Sequence, residues 1–200
     1  MTDAPIKFLG YGSRWDLIVA KCRDKRVLHL GCIGMTEESL ERKCQAMSAG
    51  EVLHPHLRKA ARELVGVDYD GKAVAALNAA GFTEIICCNV YSLAAQLAAQ
   101  APFDVVLCGD LIEHLSEPGR MLTAVKATMT RDSELLITTP NAYGIINLIR
   151  YGLGRHTEGG DHVLSFNVFS LRNLLSRSGF TITELRSCYD RKPCGMLGRV

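Results

Sequence analysis

Short apolar runs alternate along this chain with longer segments of helical character, and this alternation restricts the fold more than any other feature. Residues 26–30, 64–68, 84–88, 103–108 and 134–139 form the apolar runs. Strands that alternate with helices form a parallel sheet covered on both faces, and such strands are continuously apolar because both of their faces are buried. The sequence therefore predicts an α/β fold.

The intervening segments predict the helical layers. We expect helices over residues 36–49, 57–63, 72–80, 92–100, 118–129 and 168–178. A sixth strand is expected at 181–188 and a seventh, antiparallel one at 194–200. No linker or internal repeat divides the 200 residues, so we expect one domain with a helical extension at 1–25 and a long loop with a helical patch at 141–165.

Charge and composition narrow the range of partners. A net charge of +2 and a pI of about 8.1 give no support for nucleic-acid binding or for attachment to a membrane surface. No apolar run approaches the length of a membrane span, and the first ten residues lack the pattern of a secretory signal. The eight cysteines contain no CxxC pair, which favours reduced core residues. We expect a cytoplasmic protein.

The residues that follow the first four apolar runs form the candidate ligand site. In open α/β sheets, ligands bind beyond the carboxyl ends of the strands, where the following loops converge. Glycines at this place allow a tight turn and a close approach of the backbone to a ligand. The set comprises Gly31, Cys32, Ile33 and Gly34 after the first run, Asp68 and Tyr69 at the second, Asn89 and Val90 at the third, and Asp110 and Leu111 at the fourth.

Asp68 indicates a nucleoside ligand. A carboxylate at the end of the second strand can accept hydrogen bonds from both hydroxyls of an adenosine ribose, whereas the alternative for an acid here is a helix cap, which Asp70 could also supply. Asn89 could bind the adenine amino group, with Val90 packed on the ring. Asp68 lies much farther from Gly31 than the roughly 20 residues typical of a dinucleotide site, which counts against a nicotinamide oxidoreductase.

These segments resemble the motifs of Rossmann-like S-adenosylmethionine (SAM)-dependent methyltransferases. Residues 27–34 are similar to the first motif of that family, 65–68 to its ribose-binding motif, and 103–115 to its fourth-strand motif. Matches to a subgroup similar to ubiquinone-pathway O-methyltransferases lie at residues 138–142, 161–163 and 179–180. The resemblance implies SAM as the cofactor and a three-layer sandwich around a mostly parallel seven-stranded sheet with an antiparallel last strand.

Two positions depart from the family pattern. The first motif usually carries an acid where this chain has His29, and the third-strand motif usually carries Asp where it has Asn89. An imidazole cannot replace a carboxylate beside an amino group or a sulfonium, whereas Asn89 retains hydrogen bonding without the charge. By the resemblance His29 belongs to the cofactor site. The alternative is a catalytically inactive SAM-binding protein.

Asp110, Glu113 and His114 are the candidates for chemistry. At i, i+3 and i+4 they would share one face of a helical turn. Glu113 and His114 are the candidate catalytic residues, with His114 as a general base. By resemblance to small-RNA 2′-O-methyltransferases and ubiquinone-pathway enzymes, these three residues and His162 could instead hold a divalent metal, which we regard as the less favoured interpretation.

The sequence as a whole predicts an enzyme that methylates an oxygen, or less favourably a nitrogen, of a small-molecule or sugar-like acceptor. We expect the loop at 141–165 to select the acceptor, because loops on a rigid sheet commonly provide the binding residues.

Overall fold

A computed structural model describes residues 6–8, 14–35, 38–155 and 160–187. In chain order the strands are β1 (Ile6–Phe8), β2 (Arg26–Leu30), β3 (Glu63–Asp68), β4 (Ile85–Cys87), β5 (Phe103–Gly109), β6 (Met129–Thr138) and β7 (Leu185–Ser187). The helices are α1 (Arg14–Cys22), α2 (Leu40–Ala49), α3 (His54–Ala60), α4 (Gly71–Ala79), α5 (Leu93–Gln96), α6 (Pro118–Lys126), α7 (Ile145–Gly152) and α8 (Val168–Arg177).

Five strands form one parallel sheet in the order β4-β3-β2-β5-β6. The chain moves outward from β2 to β4 and then returns to place β5 on the other side of β2. The order therefore reverses between β2 and β5, and a crevice at such a reversal is where open α/β sheets bind ligands. The α/β class and the mostly parallel sheet are confirmed.

Alternate residues of the central strands enter different cores. Leu28 and Leu30 pack with Val106 and Cys108 in the larger cluster, whereas Val27 packs with Leu107 in the second cluster, against α1 and α3. Successive side chains of a strand point to opposite faces, so a strand that is apolar throughout holds two helical layers against the sheet. This accounts for the continuous apolar runs of the sequence.

The edges of the fold differ most from the sequence-based expectation. Within the described residues the main sheet has five strands, and β7 pairs in parallel with β1 as a separate two-stranded sheet. The strand expected at 194–200 lies outside the described residues. Residues 1–25 were expected to be helical, but β1 precedes α1, and the loop at 141–165 contains the two-turn helix α7.

The cysteines of the described residues are free thiols, as the composition predicts. Cys22, Cys32, Cys88 and Cys108 are buried, but Cys87, which the sequence assigned to the core, is exposed at the end of β4. Among the helices of the described segments, none has the length and apolarity to cross a membrane.

Candidate functional site

The turn after β2 brings the backbone close to the loop after β5. Gly31 and Gly34 adopt positive φ angles of 61° and 59°, which disfavour residues with a side chain. A Cβ at Gly31 would lie 3.1 Å from Cδ1 of Leu111. The backbone N–H of Cys32 donates to the carbonyl of Val67, at 3.2 Å. The turn is therefore fixed between the ends of β3 and β5.

Asp68 links the loops after β2 and β3. Its side chain is buried with the residue 6% exposed, and its two oxygens accept from different backbone amides, Oδ2 from Ile33 at 3.1 Å and Oδ1 from Asp70 at 3.2 Å. A carboxylate offers about four lone-pair sites, so both oxygens keep capacity for further donors. These two acceptor oxygens fit the two hydroxyl donors of a ribose.

The neighbouring acid performs the capping role. Asp70 Oδ1 accepts from the N–H of Ala73 at the start of α4, and Oδ2 binds Lys43 Nζ at 2.8 Å. The hydrogen bond from Lys43, supported by the Ala73 amide, lowers the pKa of Asp70. Because Asp70 caps the helix, capping does not explain the buried carboxylate of Asp68. Tyr69 between them is 71% exposed.

Asn89 and Val90 follow β4 at the same edge of the sheet. The Oδ1 atom of Asn89 accepts from the N–H of Tyr91 at 2.9 Å, so the side chain begins a short 3₁₀ turn. Val90 is half-buried against the larger core. Asn89 itself is exposed, and its contact with an adenine stays a prediction.

His29 is buried against a second histidine. Its Nδ1 lies 3.1 Å from Nδ1 of His54 on α3, and the two rings stack. Burial, and secondarily the neighbouring imidazole, lowers the pKa of His29. Burial also lowers the pKa of His54 to about 4, against the opposing effect of Glu84, whose Oε1 is 3.4 Å from its Nε2. Two neutral rings can share one Nδ1 proton.

Asp110 is fixed in a strained conformation at the end of β5. Its φ angle is 45°, which is uncommon for a residue other than glycine. Its backbone N–H donates to the carbonyl of Thr138, and the Thr138 hydroxyl donates to Oδ1 at 3.0 Å. Arg14 binds both carboxylate oxygens, at 2.8 and 2.5 Å. No motif or spacing in the sequence indicated Arg14 as a residue of this site.

Glu113, His114 and His162 form one cluster, in which ligand atoms lie within 4.8 Å of one another. Glu113 Oε2 accepts from the Thr139 hydroxyl at 2.9 Å, whereas the buried Oε1 has no hydrogen-bond partner among the described residues. Burial raises the pKa of Glu113. The structure thus brings together three of the four predicted metal ligands, with Asp110 engaged elsewhere.

His114 is oriented by the segment after residue 160. Its Nδ1 lies 3.2 Å from the carbonyl oxygen and 3.3 Å from Oδ2 of Asp161, and its ring meets His162 edge to face. The carbonyl of Glu113 accepts from the amides of Val163 and Leu164, both at 2.9 Å. With Nδ1–H donated to Asp161, Nε2 of His114 becomes the acceptor of a neutral ring. The partner role of Asp161 was not predicted.

The chain was compared with protein families, curated proteins and solved structures. The methyltransferase-domain family matches residues 18–185. No curated protein matches the chain. The structure is similar to that of the YcgJ protein from Bacillus subtilis, with a TM-score of 0.52, 16% identity, and coverage of 82% of this chain and 66% of that one.

Two further solved structures share the fold. A SAM-dependent methyltransferase from Thermotoga maritima, described as a possible histamine N-methyltransferase, has a TM-score of 0.57 and 14% identity over 85% of this chain and 70% of that one. The small RNA methyltransferase HEN1 has a TM-score of 0.58 and 17% identity over 83% of this chain and 21% of that one. The chain spans less than two thirds of the length of YcgJ and of the plantazolicin methyltransferase BamL, 66% and 61% respectively.

Proposed function

The chain belongs to the family of Rossmann-like, SAM-dependent methyltransferases, and from this premise we propose that it transfers a methyl group to an oxygen of a small-molecule or sugar-like acceptor. Nitrogen is the less favoured target atom. The cofactor site consists of the loops after β2, β3, β4 and β5, and the acceptor site lies between the 112–115 turn and the segment from 141 to 165.

One observation supports the cofactor assignment above the others. The carboxylate of Asp68 is buried at the end of β3, and it joins the loops after β2 and β3 through the amides of Ile33 and Asp70. An adenosine ribose offers two hydroxyl donors to an acceptor of this kind. The turn at Gly31, pressed against Leu111, lets the ligand approach the backbone beside it.

The residues of this chain act by alignment. When bound, SAM supplies a methyl group activated by a sulfonium. Positioning alone can supply roughly 7–11 kcal/mol when the reacting groups are well oriented. The turn at Gly31 and the buried Asp68 position the cofactor. Glu113 and His114 position the acceptor.

His114 is the proposed base for a hydroxyl acceptor. An alcohol must lose its proton as it attacks, so a base within hydrogen-bond reach accelerates the step. The contact with Asp161 orients the ring and directs Nε2 away from that partner. In this arrangement the acceptor hydroxyl is the nucleophile, His114 is its base, and Asp161 orients the base, as in other enzymes that activate an oxygen nucleophile. Glu113 fixes the turn that holds His114, through the amides of Val163 and Leu164 on its carbonyl.

The segment that follows β6 supplies the proposed acceptor surface. Tyr143 and Tyr151 are exposed there, and Arg150 and Arg155 are the ionic groups of α7 and its following turn. An aromatic and cationic surface suits an acceptor with an apolar ring and an anionic or polar substituent. Proteins of similar fold include a plantazolicin methyltransferase and a possible histamine N-methyltransferase, which is compatible with a small-molecule acceptor.

Calorimetry with SAM and S-adenosylhomocysteine, paired with a radiolabel methyl-transfer screen, tests the proposal. We expect both ligands to bind and transfer to occur to a hydroxylated acceptor. Tight binding without turnover on any acceptor would favour the inactive SAM-binding alternative, which His29 and Asn89 motivate. Saturable binding of NADH in a fluorescence titration, with no SAM binding, would instead support an oxidoreductase.

We expect methyl transfer to survive exhaustive treatment with EDTA. The cluster of Glu113, His114 and His162 fits a divalent cation by its donor chemistry, and the unpartnered Oε1 of Glu113 could bind one. Two contacts oppose this: Asp110 is paired with Arg14, and Nδ1 of His114 faces Asp161. The measurement is the initial rate before and after chelation, with the thermal unfolding midpoint as a control. A loss of rate that Mg²⁺ restores would assign the cluster to a metal.

A further inference from the structure

A groove between α1 and α3 lies outside the residues assigned to the cofactor and to the acceptor. Its volume is about 310 Å³, which is at the lower end of the range for small-molecule sites. We name it the α1–α3 groove. One side is formed by Trp15, Asp16, Val19 and Arg23, and the other side by His56 and Lys59.

Contacts at both ends of α1 hold the walls of the α1–α3 groove in place. At the start of α1, Arg14 binds the carboxylate that follows β5. Just after its end, the N–H of Asp24 donates to the carbonyl of Ala60 at 3.0 Å, which joins the end of α1 to the end of α3. Between the two helices, Ile18 and Leu57 are buried in the second core cluster. The groove is therefore formed before any ligand binds, which lowers the free-energy cost of binding.

Trp15 and His56 form an aromatic end of the groove. Trp15 is the single tryptophan of the chain and is half-buried, and the centroids of the two rings lie 5.5 Å apart at an angle of 50°. Nε2 of His56 lies 2.9 Å from the carbonyl oxygen of Gly50. Because a carbonyl can only accept, Nε2–H is the donor, and this bond orients the imidazole. The two rings offer a surface on which a flat aromatic ligand can pack.

Arg23 and Lys59 form a cationic end of the groove. Arg23 follows Trp15 by eight residues, which corresponds to about 12 Å along a helix. Both cations are exposed, and within the described residues neither forms an ion pair with a carboxylate. The acid that lines the groove, Asp16, is adjacent to Trp15 at the aromatic end. An anion in the groove is therefore attracted to the end formed by Arg23 and Lys59 and repelled from the other end.

We propose that the α1–α3 groove is a binding site for a small aromatic anion, a class that the cofactor and acceptor sites do not account for. The aromatic ring packs against Trp15 and His56, and a phosphate or carboxylate group lies between Arg23 and Lys59. Exposed cations alone bind an anion weakly, because water and salt screen the charge. The ring contact is therefore needed for affinity, and the two cations select an anionic ligand.

The fluorescence of Trp15 tests this proposal, because no other tryptophan contributes to the emission. The probes are phenyl phosphate and phenylacetate, compared with benzyl alcohol as a neutral ring and inorganic phosphate as an anion without a ring, all at constant ionic strength. We expect a saturable change in emission with at least one aromatic anion, with a Kd of roughly 0.1–1 mM. Benzyl alcohol and inorganic phosphate should bind at least fivefold more weakly. The tighter of the two aromatic anions identifies phosphate monoesters or carboxylates as the ligand class.

Two variants test the cationic end, and a third is their matched control. Arg23→Gln and Lys59→Gln should each weaken binding of the aromatic anion at least threefold and leave the affinity for benzyl alcohol within twofold. Lys25→Gln removes the same charge from an exposed residue two positions after Arg23 that does not line the groove. Its affinity for the aromatic anion should match that of the wild type.

Several results would overturn the proposal. These are an unsaturated, linear change in emission, an equal affinity for benzyl alcohol or inorganic phosphate, and a loss in Lys25→Gln as large as that in Lys59→Gln. Displacement of the aromatic anion by S-adenosylhomocysteine would also overturn it, because the anion would then occupy the cofactor loops. The thermal unfolding midpoint shows whether each variant folds. If a variant does not fold, the comparison of the four probes on wild-type protein decides. Absence of methyl transfer would leave all these expectations unchanged.

Discussion

Replacing Asp68 with alanine is expected to weaken SAM binding by at least tenfold, equivalent to about 1.4 kcal/mol. Hydrogen bonds to a charged partner are worth about 1.5–3 kcal/mol each, and Asp68 is proposed to accept from a ribose. The variant also removes the acceptor for the amides of Ile33 and Asp70, so the first loop loses its side-chain link to β3. Calorimetry with SAM and S-adenosylhomocysteine measures the effect.

Asp70→Ala provides a control at a carboxylate two residues away. Asp70 caps α4 and binds Lys43, so its replacement by alanine should lower the free energy of unfolding by about 1 kcal/mol through loss of the cap and leave the affinity for SAM nearly unchanged. Asp68→Asn should be intermediate, since the amide oxygen can still accept but has no charge. If the alanine variant folded and bound SAM as tightly as wild type, Asp68 would be removed from the site.

The central strands could be predicted because each is buried on two faces. β2 begins and ends at the residues that the apolar run indicates, 26 and 30, and β5 extends the predicted run only to Gly109. The outer elements could not be predicted as well. β1 and β7 are three-residue strands that pair across the length of the chain, and such a pairing leaves no local pattern. α5 is four residues long, although its alanines favour a longer helix.

The cofactor side of the site was predictable because its residues end consecutive strands. Topology alone places the ends of parallel strands at one edge of a sheet. The partners of those residues were not predictable, because they come from elsewhere in the chain: Arg14 reaches Asp110 and Asp161 reaches His114 over long sequence separations. No periodicity or spacing identifies such pairs.

His29 shows the same limit within a recognised motif. From sequence it occupies the position of an acid beside the cofactor. In the structure the residue is 4% exposed and its Nδ1 contacts His54, so its contact with the cofactor stays a prediction. A histidine in place of the acid therefore has a partner that the family pattern alone does not reveal.

Gly66→Ala is expected to lower the free energy of unfolding by about 3 kcal/mol, which is at the upper end of the range for overpacked cores. A Cβ there would lie 2.6 Å from Cε1 of His54 and 2.8 Å from Sγ of Cys32, and both neighbours are buried. For a chain of this length each kcal/mol lowers the unfolding midpoint by about 2–4 °C. Thermal unfolding of Gly66→Ala should therefore show a decrease of roughly 6–12 °C.

Gly119→Ala is the control, because a Cβ at Gly119 in α6 meets nothing within 4 Å and alanine favours the helix. That variant should match or slightly exceed the wild type. Adding His54→Ala to Gly66→Ala should cost less than the sum of the two single changes, since removing the ring opens the space that the methyl group needs. Additive losses, or a Gly66→Ala midpoint equal to wild type, would contradict the steric account.

Because the displaced His54 contacts His29, two residues before Gly31, Gly66→Ala should also weaken SAM binding. A weaker affinity would connect packing on α3 to the geometry of the turn at Gly31.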